Sequence, residues 1–275
     1  MNPHAPHSIT PIALIVSLLN NRNLILGLIK REVVGRYRGS IMGLLWSFFN
    51  PVLMLIVYTF VFSVVFKSRW VGGTESKTEF ALVLFAGLLI FNLFSECITR
   101  APGLVIGNIN YVKKVIFPLE VLPVVVFGSA LFHFLIGFLV WVVFYLLFFG
   151  LPGMQILLMP LVLMPLVFIM LGFVWFLASI GVYLRDVTHV VGVAITVLMF
   201  LSPIFYPLTA LPEPYRIYLH LNPLTFVIEQ TRDVMIWGKW IDWPRWMLQT
   251  LIGSMIGWLG FAWFQKTRKG FADVL

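Results

Sequence analysis

The chain has 275 residues, 60% of them hydrophobic and 11% charged, with a mean hydropathy of +0.98. About a quarter of the residues in a soluble domain are charged, so this composition excludes an ordinary soluble protein and places the chain in a membrane. The formal net charge is +8, but 10 Trp, 8 Tyr and 26 Phe exclude a disordered basic tail and argue against nucleic acid as a partner, while the single Cys97 excludes an internal disulfide framework, a cysteine-built zinc site and an iron–sulfur cluster.

Residues 1–38 come first. The apolar stretch Ile12–Leu19 has no Lys or Arg before it and no small-residue cleavage site after it, so it is expected to be retained rather than removed as a signal peptide. Leu26, Ile29, Val33 and Tyr37 then recur at near-helical spacing, with Arg31 and Arg38 turned away and Lys30 and Arg36 flanking. That pattern predicts a helix lying in the cytoplasmic interface, its basic groups toward anionic headgroups, either as a simple positive anchor or with a role in function.

A hydrocarbon core of about 30 Å takes about 20 helical residues, and this converts uncharged runs into passes. The first is 39–66 and the second 80–99, interrupted only by Glu96. From Val121 to Leu184 no residue is charged, and one helix of that length would reach about 96 Å, more than any bilayer covers. The run must reverse, and Gly150-Leu-Pro-Gly153 supplies the break, giving passes at 121–149 and 156–184. After Arg185-Asp186 a fifth pass is predicted at 190–206 and a sixth at 246–265.

Residues 207–245, between the last two, hold five prolines and mixed charges and are too broken to span. Asn222-Pro223 reads as a helix N-cap followed by Pro at the first helical position. Leu224, Ile228, Thr231 and Met235 would form the apolar face, and Glu229, Arg232 and Asp233 the polar one. The expectation is an amphipathic or re-entrant segment at the outer face, able to gate a pore. The whole, residues 1–275, reads as a single all-α membrane domain.

Six passes put both termini on one side. Twelve Lys and Arg then fall on that side and seven on the other, so the positive-inside rule places both termini in the cytoplasm.

No G-x-x-x-x-G-K-[ST] occurs, so ATP-driven work would have to come from a partner subunit. No metal site is expected: His133 stands alone in the third pass, where a hydrogen bond to a neighbouring helix explains it better than metal ligation. Glu96 precedes Arg100 by one helical turn and is expected to pair with it locally. Otherwise the passes are nearly free of acids and bases, which disfavours a proton- or sodium-coupled transporter. Gly253-x-x-x-Gly257 has the spacing of close helix pairs, most simply within one subunit.

At Arg36-Tyr-Arg-Gly-Ser-Ile-Met-Gly-Leu-Leu-Trp-Ser-Phe-Phe-Asn-Pro51 the sequence resembles the start of the first pass in membrane subunits of polysaccharide-exporting ABC transporters, the group handling O-antigen, capsule and teichoic acid. Further pieces agree in order: Asn108-x-x-Tyr-Val-Lys-Lys-Val-Ile-Phe-Pro118 with Leu122-Pro123, Arg185-Asp186, Ser202-Pro-Ile-x-Tyr206 with Asn222-Pro223 and Arg232, and Gly270-Phe-Ala-Asp273. The ordered set is more specific than any one piece.

The resemblance implies a homodimer of six-helix subunits paired with two copies of an ABC ATPase, which bind ATP and Mg. It implies export of undecaprenyl-pyrophosphate-linked glycan across the inner membrane, with no cofactor in this chain. It also implies that 101–114 forms a coupling helix on the ATPase, through Asn108, Asn110, Lys113 and Lys114, with Arg185 and Asp186 as a second contact. For Lys113 and Lys114 an ordinary basic loop remains an equal reading.

A conduit for neutral or weakly charged sugar calls for aromatic faces, and Trp46, Tyr58, Phe200, Phe205 and Tyr206 are the candidates for its lining. With 16% aromatic residues, most must face lipid or pack between helices, and packing or lipid contact is the commoner explanation for any one of them. A lipid pyrophosphate calls instead for planar, bidentate arginines at the cytoplasmic leaflet, and Arg36 and Arg38 stand where the interface helix enters the first pass. Two alternatives stay open. One is a drug or lipo-oligosaccharide exporter of similar fold. The other is an enzyme acting on polyprenyl phosphate, for which no carboxylate cluster stands out.

Overall fold

The computed structural model describes residues 8–61, 77–113 and 117–275, and among them every regular element is helical. Helices α1 (Pro11–Asn20) and α2 (Arg22–Arg36) meet at a bend of 70°. Thr10 caps the first, its hydroxyl accepting from the Ala13 amide, and Pro11 opens it. The predicted interface helix is thus a bent pair. On α2 Val33 is buried and Ile29, like Tyr37 just past its end, is half-buried, as the predicted stripe requires, while Leu26 faces outward and Ile25 and Leu28 are buried beside them. The contact with the third pass, where Ile29 packs on Gly128, fixes this face.

Five helical stretches are long and apolar enough to cross a membrane: Gly43–Val61, Thr78–Arg100, Leu119–Phe149, Met154–Tyr183 and Trp243–Val274. The first contains α3 (Trp46–Tyr58), which starts later than predicted because Gly39, at φ +86°, turns the chain after α2. Residues 62–66 of the predicted first pass lie outside the described residues. The second is α4 (Lys77–Arg100), the central helix, buried on nearly every face from Glu79 to Leu93. Between them and the third pass lie α5 (Ile109–Lys113) and a turn over Leu119–Val121.

The third and fourth passes, α6 (Leu122–Phe149) and α7 (Met159–Tyr183), fall where the uncharged run was divided. Gly150 at φ +82° makes the reversal, a backbone conformation that glycine adopts without strain. The last pass is α11 (Trp243–Thr267), followed by the short tail helix α12 (Phe271–Val274).

Helices α7 and α11 are the most extensively packed pair, and glycine makes that possible. A Cβ on Gly253 would stand 2.7 Å from the Pro165 carbonyl oxygen, and one on Gly172 would stand 2.5 Å from that of Ile256. Gly257 lies against Phe168, and Gly260 backs directly onto Gly172. The Gly253-x-x-x-Gly257 spacing therefore serves packing within one subunit, as read from the sequence, with Gly260 extending the stripe by one turn.

The predicted fifth pass at 190–206 is not among these spans, because its helix is too short. Helix α8 (Val187–Leu201) rises about 22 Å and stops, five residues before the predicted 206. Pro203 ends it, since proline has no amide to continue the hydrogen-bond ladder. The chain then runs through α9 (Glu213–His220) and α10 (Pro223–Met235) before α11. As predicted, Asn222 caps α10, its side chain accepting from the Leu224 amide at 2.9 Å, and Leu224, Ile228, Thr231 and Met235 are buried. Arg232 departs from the prediction: it is 3% exposed rather than on a polar face.

Candidate functional site

Helix α4 is apolar and enclosed except along one stripe. Asn92, Ser95, Glu96 and Thr99, at i, i+3, i+4 and i+7, line one face of it, and there the packing opens into a cleft of about 570 Å³. Ser47, Asn50 and Tyr58 of the first pass form the opposite wall, and His133 and Gly137 of α6 the floor. Polar atoms in a membrane helix face protein or a water-filled cavity rather than lipid, so this stripe marks a face of α4 turned away from lipid.

At the α2 end of the cleft lies a charged cluster. Arg36, the last residue of α2, donates through Nη1 to Glu96 Oε1 at 2.6 Å and approaches His133 Nδ1 at 2.8 Å. His133 Nδ1 also lies 3.2 Å from Glu96 Oε2. Arg100 is ion-paired with Glu32 one turn back along α2, and its Nη1 stands 3.6 Å from Glu96 Oε1. The predicted Glu96–Arg100 pair is therefore present but longer than the Glu96–Arg36 bond, because α2 brings a second arginine that spacing along α4 alone does not reveal. His133 makes its hydrogen bonds to a neighbouring helix, as expected.

The structure separates the two candidate headgroup arginines. Arg36 lines the cleft, whereas Arg38 is exposed on an adjoining groove of about 410 Å³ with Arg31, Val34, Gly43 and Leu44. Tyr37 lies between and borders both. Its phenol is held above its ordinary pKa chiefly by burial, with Arg36 opposing, so it stays a neutral hydrogen-bonding group at physiological pH.

The candidate aromatic residues fall into separate places. Tyr58 is half-buried in the cleft, while Trp46 stands at the other end of α3 and outside it. Phe200, Phe205 and Tyr206 come together at the end of α8: the two phenyl rings lie 6.2 Å apart, and the Tyr206 hydroxyl donates to the Phe200 carbonyl at 2.9 Å.

Just beside them is a site that a helical wheel does not show. Arg232 on α10 donates to the carbonyls of Pro203 at 2.6 Å, Ile204 at 2.7 Å and, on α4, Val83 at 3.1 Å. Asn222 Nδ2 donates to Ser202 Oγ at 2.8 Å and Leu201 O at 3.3 Å. Both side chains satisfy carbonyls freed where α8 ends, and the guanidinium places positive charge at the negative end of that helix. Gly87 gives the room, since a Cβ there would stand 2.8 Å from Arg232 Nη2. The pieces Ser202-Pro-Ile-x-Tyr206, Asn222-Pro223 and Arg232 thus form one device: the end of α8 capped by side chains of the α10 segment.

The predicted coupling residues lie on two segments, α5 with the turn before it and the loop after α7. Asn110 and Lys113 are exposed on α5, and Asn108 is tied down by donating to Leu104 O at 2.9 Å. Arg185 and Asp186 are exposed in the loop after α7, whose Gly181 backs directly onto Pro102. Lys114 lies outside the described residues. An ion pair missed in the sequence lies beside α5: Arg268 donates to Glu120 Oε2 at 2.7 Å and to Phe117 O at 2.8 Å, while Ser17 donates to Glu120 Oε1 at 2.7 Å. Phe117 stacks on Tyr111 of α5 with ring centres 4.2 Å apart, so tail, α1 and α5 are held as a unit.

The family model described as ABC-2 type transporter matches residues 23–236. The chain belongs to that family. Over 264 residues, 95% of this chain and 99% of the relative, it is 28% identical to the O-antigen export system permease protein RfbA of Myxococcus xanthus. A protein of the same description from Klebsiella pneumoniae is 25% identical over 254 residues, 92% and 95% of the two chains. The polysialic acid transport protein KpsM of Escherichia coli is 24% identical over 217 residues, 76% and 79%. The matched region runs from α2 through α10 and so takes in the charged cluster, the cleft and the capped end of α8.

Proposed function

We propose that this chain is the permease subunit of an ABC exporter for polysaccharide of the O-antigen or capsule kind, and that it acts as a homodimer on two copies of a separate ATPase, which carries ATP and Mg. It works in the inner membrane with both termini in the cytoplasm. Its substrate is glycan linked to undecaprenyl pyrophosphate, taken up at the Arg36 end and passed outward along the polar face of α4. The cleft carries this reading. Its lining mixes apolar side chains with the neutral polar groups of Asn50, Asn92, Ser95 and Thr99, which suits sugar rings and their hydroxyls, and its charged groups gather at the Arg36 end. The family and the transport permeases that resemble the chain support it, as does the excess of Lys and Arg at the end where α5 and α12 meet. They also favour the glycan branch over a drug exporter, and a transport subunit over an enzyme.

The test is reconstitution of the permease with its cognate ATPase in vesicles containing lipid-linked glycan. ATP should drive glycan to the opposite leaflet, and deletion of the subunit in cells should leave lipid-linked glycan inside. Covalent turnover of the lipid by the permease alone would refute the proposal.

A further inference from the structure

The proposed headgroup site is already charge-balanced. Arg36 and Arg100 face Glu96 and Glu32, and the Arg36 guanidinium has one of its best hydrogen-bonding edges taken by the Glu96 carboxylate at 2.6 Å. A phosphate reaching Arg36 would meet that carboxylate, and at such a distance two anions repel strongly in a partly desolvated site. The surroundings permit an exchange. Arg36 is the last residue of α2 and its side chain is 45% exposed, so the guanidinium can swing toward the cleft mouth without unwinding the helix. Glu96 would not be orphaned when Arg36 leaves, because Arg100 Nη1 stands 3.6 Å away and His133 Nδ1 at 3.2 Å. Nor would α2 lose its hold on α4, since the Glu32–Arg100 pair remains one turn away.

Resting on the headgroup reading above, we infer that Glu96 is an intramolecular competitor of the substrate's phosphate for Arg36, so that capture of the lipid headgroup proceeds by exchanging a carboxylate for a phosphate on one guanidinium. The exchange sets a threshold. A lone carboxylate or neutral lipid offers nothing better than Glu96, whereas a pyrophosphate, with more charge and more acceptor oxygens, does. Glu96 thereby keeps ordinary phospholipid from occupying the entrance. His133 receives the displaced carboxylate, donating to Glu96 from the tautomer that carries hydrogen on Nδ1.

The experiment measures binding of farnesyl pyrophosphate to the detergent-purified permease–ATPase complex, with the ATPase sites saturated by ADP and with inorganic pyrophosphate and farnesol as comparison probes. Glu96→Gln should bind farnesyl pyrophosphate about tenfold more tightly, the equivalent of about 1.4 kcal/mol. Arg36→Gln should lose most of the binding, and the double variant should resemble Arg36→Gln. Glu96→Asp, which keeps the charge near Arg100 but shortens the reach to Arg36, should fall between wild type and Glu96→Gln, and it serves where the glutamine variant folds poorly. If both Glu96 variants bind no tighter than wild type while Arg36→Gln binds weakly, competition is refuted and the headgroup reading stands. If Arg36→Gln binds normally, or farnesol binds as well as its pyrophosphate, the headgroup reading falls and the competition with it. Inorganic pyrophosphate displacing the probe shows that phosphate chemistry supplies the affinity; failure to displace at any concentration overturns the exchange.

Discussion

Replacing Arg232 tests whether helix α10 is fixed to the end of α8 by one side chain. Three carbonyl oxygens converge on this guanidinium. That of Val83 lies within α4, but those of Pro203 and Ile204 lie beyond the end of α8 and have no helical amide to accept from. Arg232→Met keeps the apolar stem and removes every donor. Each buried carbonyl left unsatisfied costs about 1–3 kcal/mol, so the two outside α4 alone give about 2–6 kcal/mol. Removing a buried charge offsets part of this, because the arginine itself was desolvated at a cost. A net loss of about 2–4 kcal/mol follows, large for any single substitution. Arg232→Lys should fall between, since one ammonium cannot reach three carbonyls that meet three different guanidinium nitrogens. Gly87→Ala perturbs the same group by crowding Nη2, so its cost should shrink when Arg232→Met is already present. The assay is reversible unfolding in mixed micelles, with limited proteolysis between α8 and α10 as a local readout. A methionine variant within 1 kcal/mol of wild type, or additive costs for the Gly87 and Arg232 changes, would show that the arginine does not hold the two helices together.

What the sequence makes legible is what depends on neighbours along the chain. Gly150-Leu-Pro-Gly153 places the reversal between α6 and α7 because glycine and proline act on their own backbone. Asn222-Pro223 marks the start of α10 for the same reason. The misses are relations between distant segments. Arg232 reads as polar beside Glu229 and Asp233, yet it follows Ile228 by one turn and shares its buried face; the carbonyls that satisfy it belong to α4 and to the end of α8. Glu120 and Arg268 are 148 residues apart and carry no common motif, so only the fold reveals the pair. On α2 only Leu26 of the predicted stripe faces outward, because apolar residues crowd that stretch and the fold decides which of them are covered. The stripe Asn92, Ser95, Glu96 and Thr99 is intermediate: its helical spacing is present in the sequence, but it becomes a site only because every other face of α4 is covered.

The remaining expectations concern packing and anchoring. Gly260→Leu should force α7 and α11 apart, because Gly172 of α7 leaves no room for a side chain; thermal stability and transport should fall together, and a variant of wild-type stability would mean that the close approach is not needed. The Glu120–Arg268 pair permits a sharper test, since both side chains are almost fully buried, at 10% and 14% exposure, and removing one partner strands the other. Arg268→Gln alone should cost about 3–5 kcal/mol in the same unfolding assay, whereas Glu120→Gln with Arg268→Gln should recover part of that loss, because two neutral amides can still hydrogen-bond to each other and to Ser17. Since Arg268 also holds Phe117 and, through its ring stack, α5, the single variant should lose ATPase coupling before it loses the membrane bundle. Coupling that fails in proportion to global stability, with no recovery in the double variant, would reduce the pair to a generic surface contact.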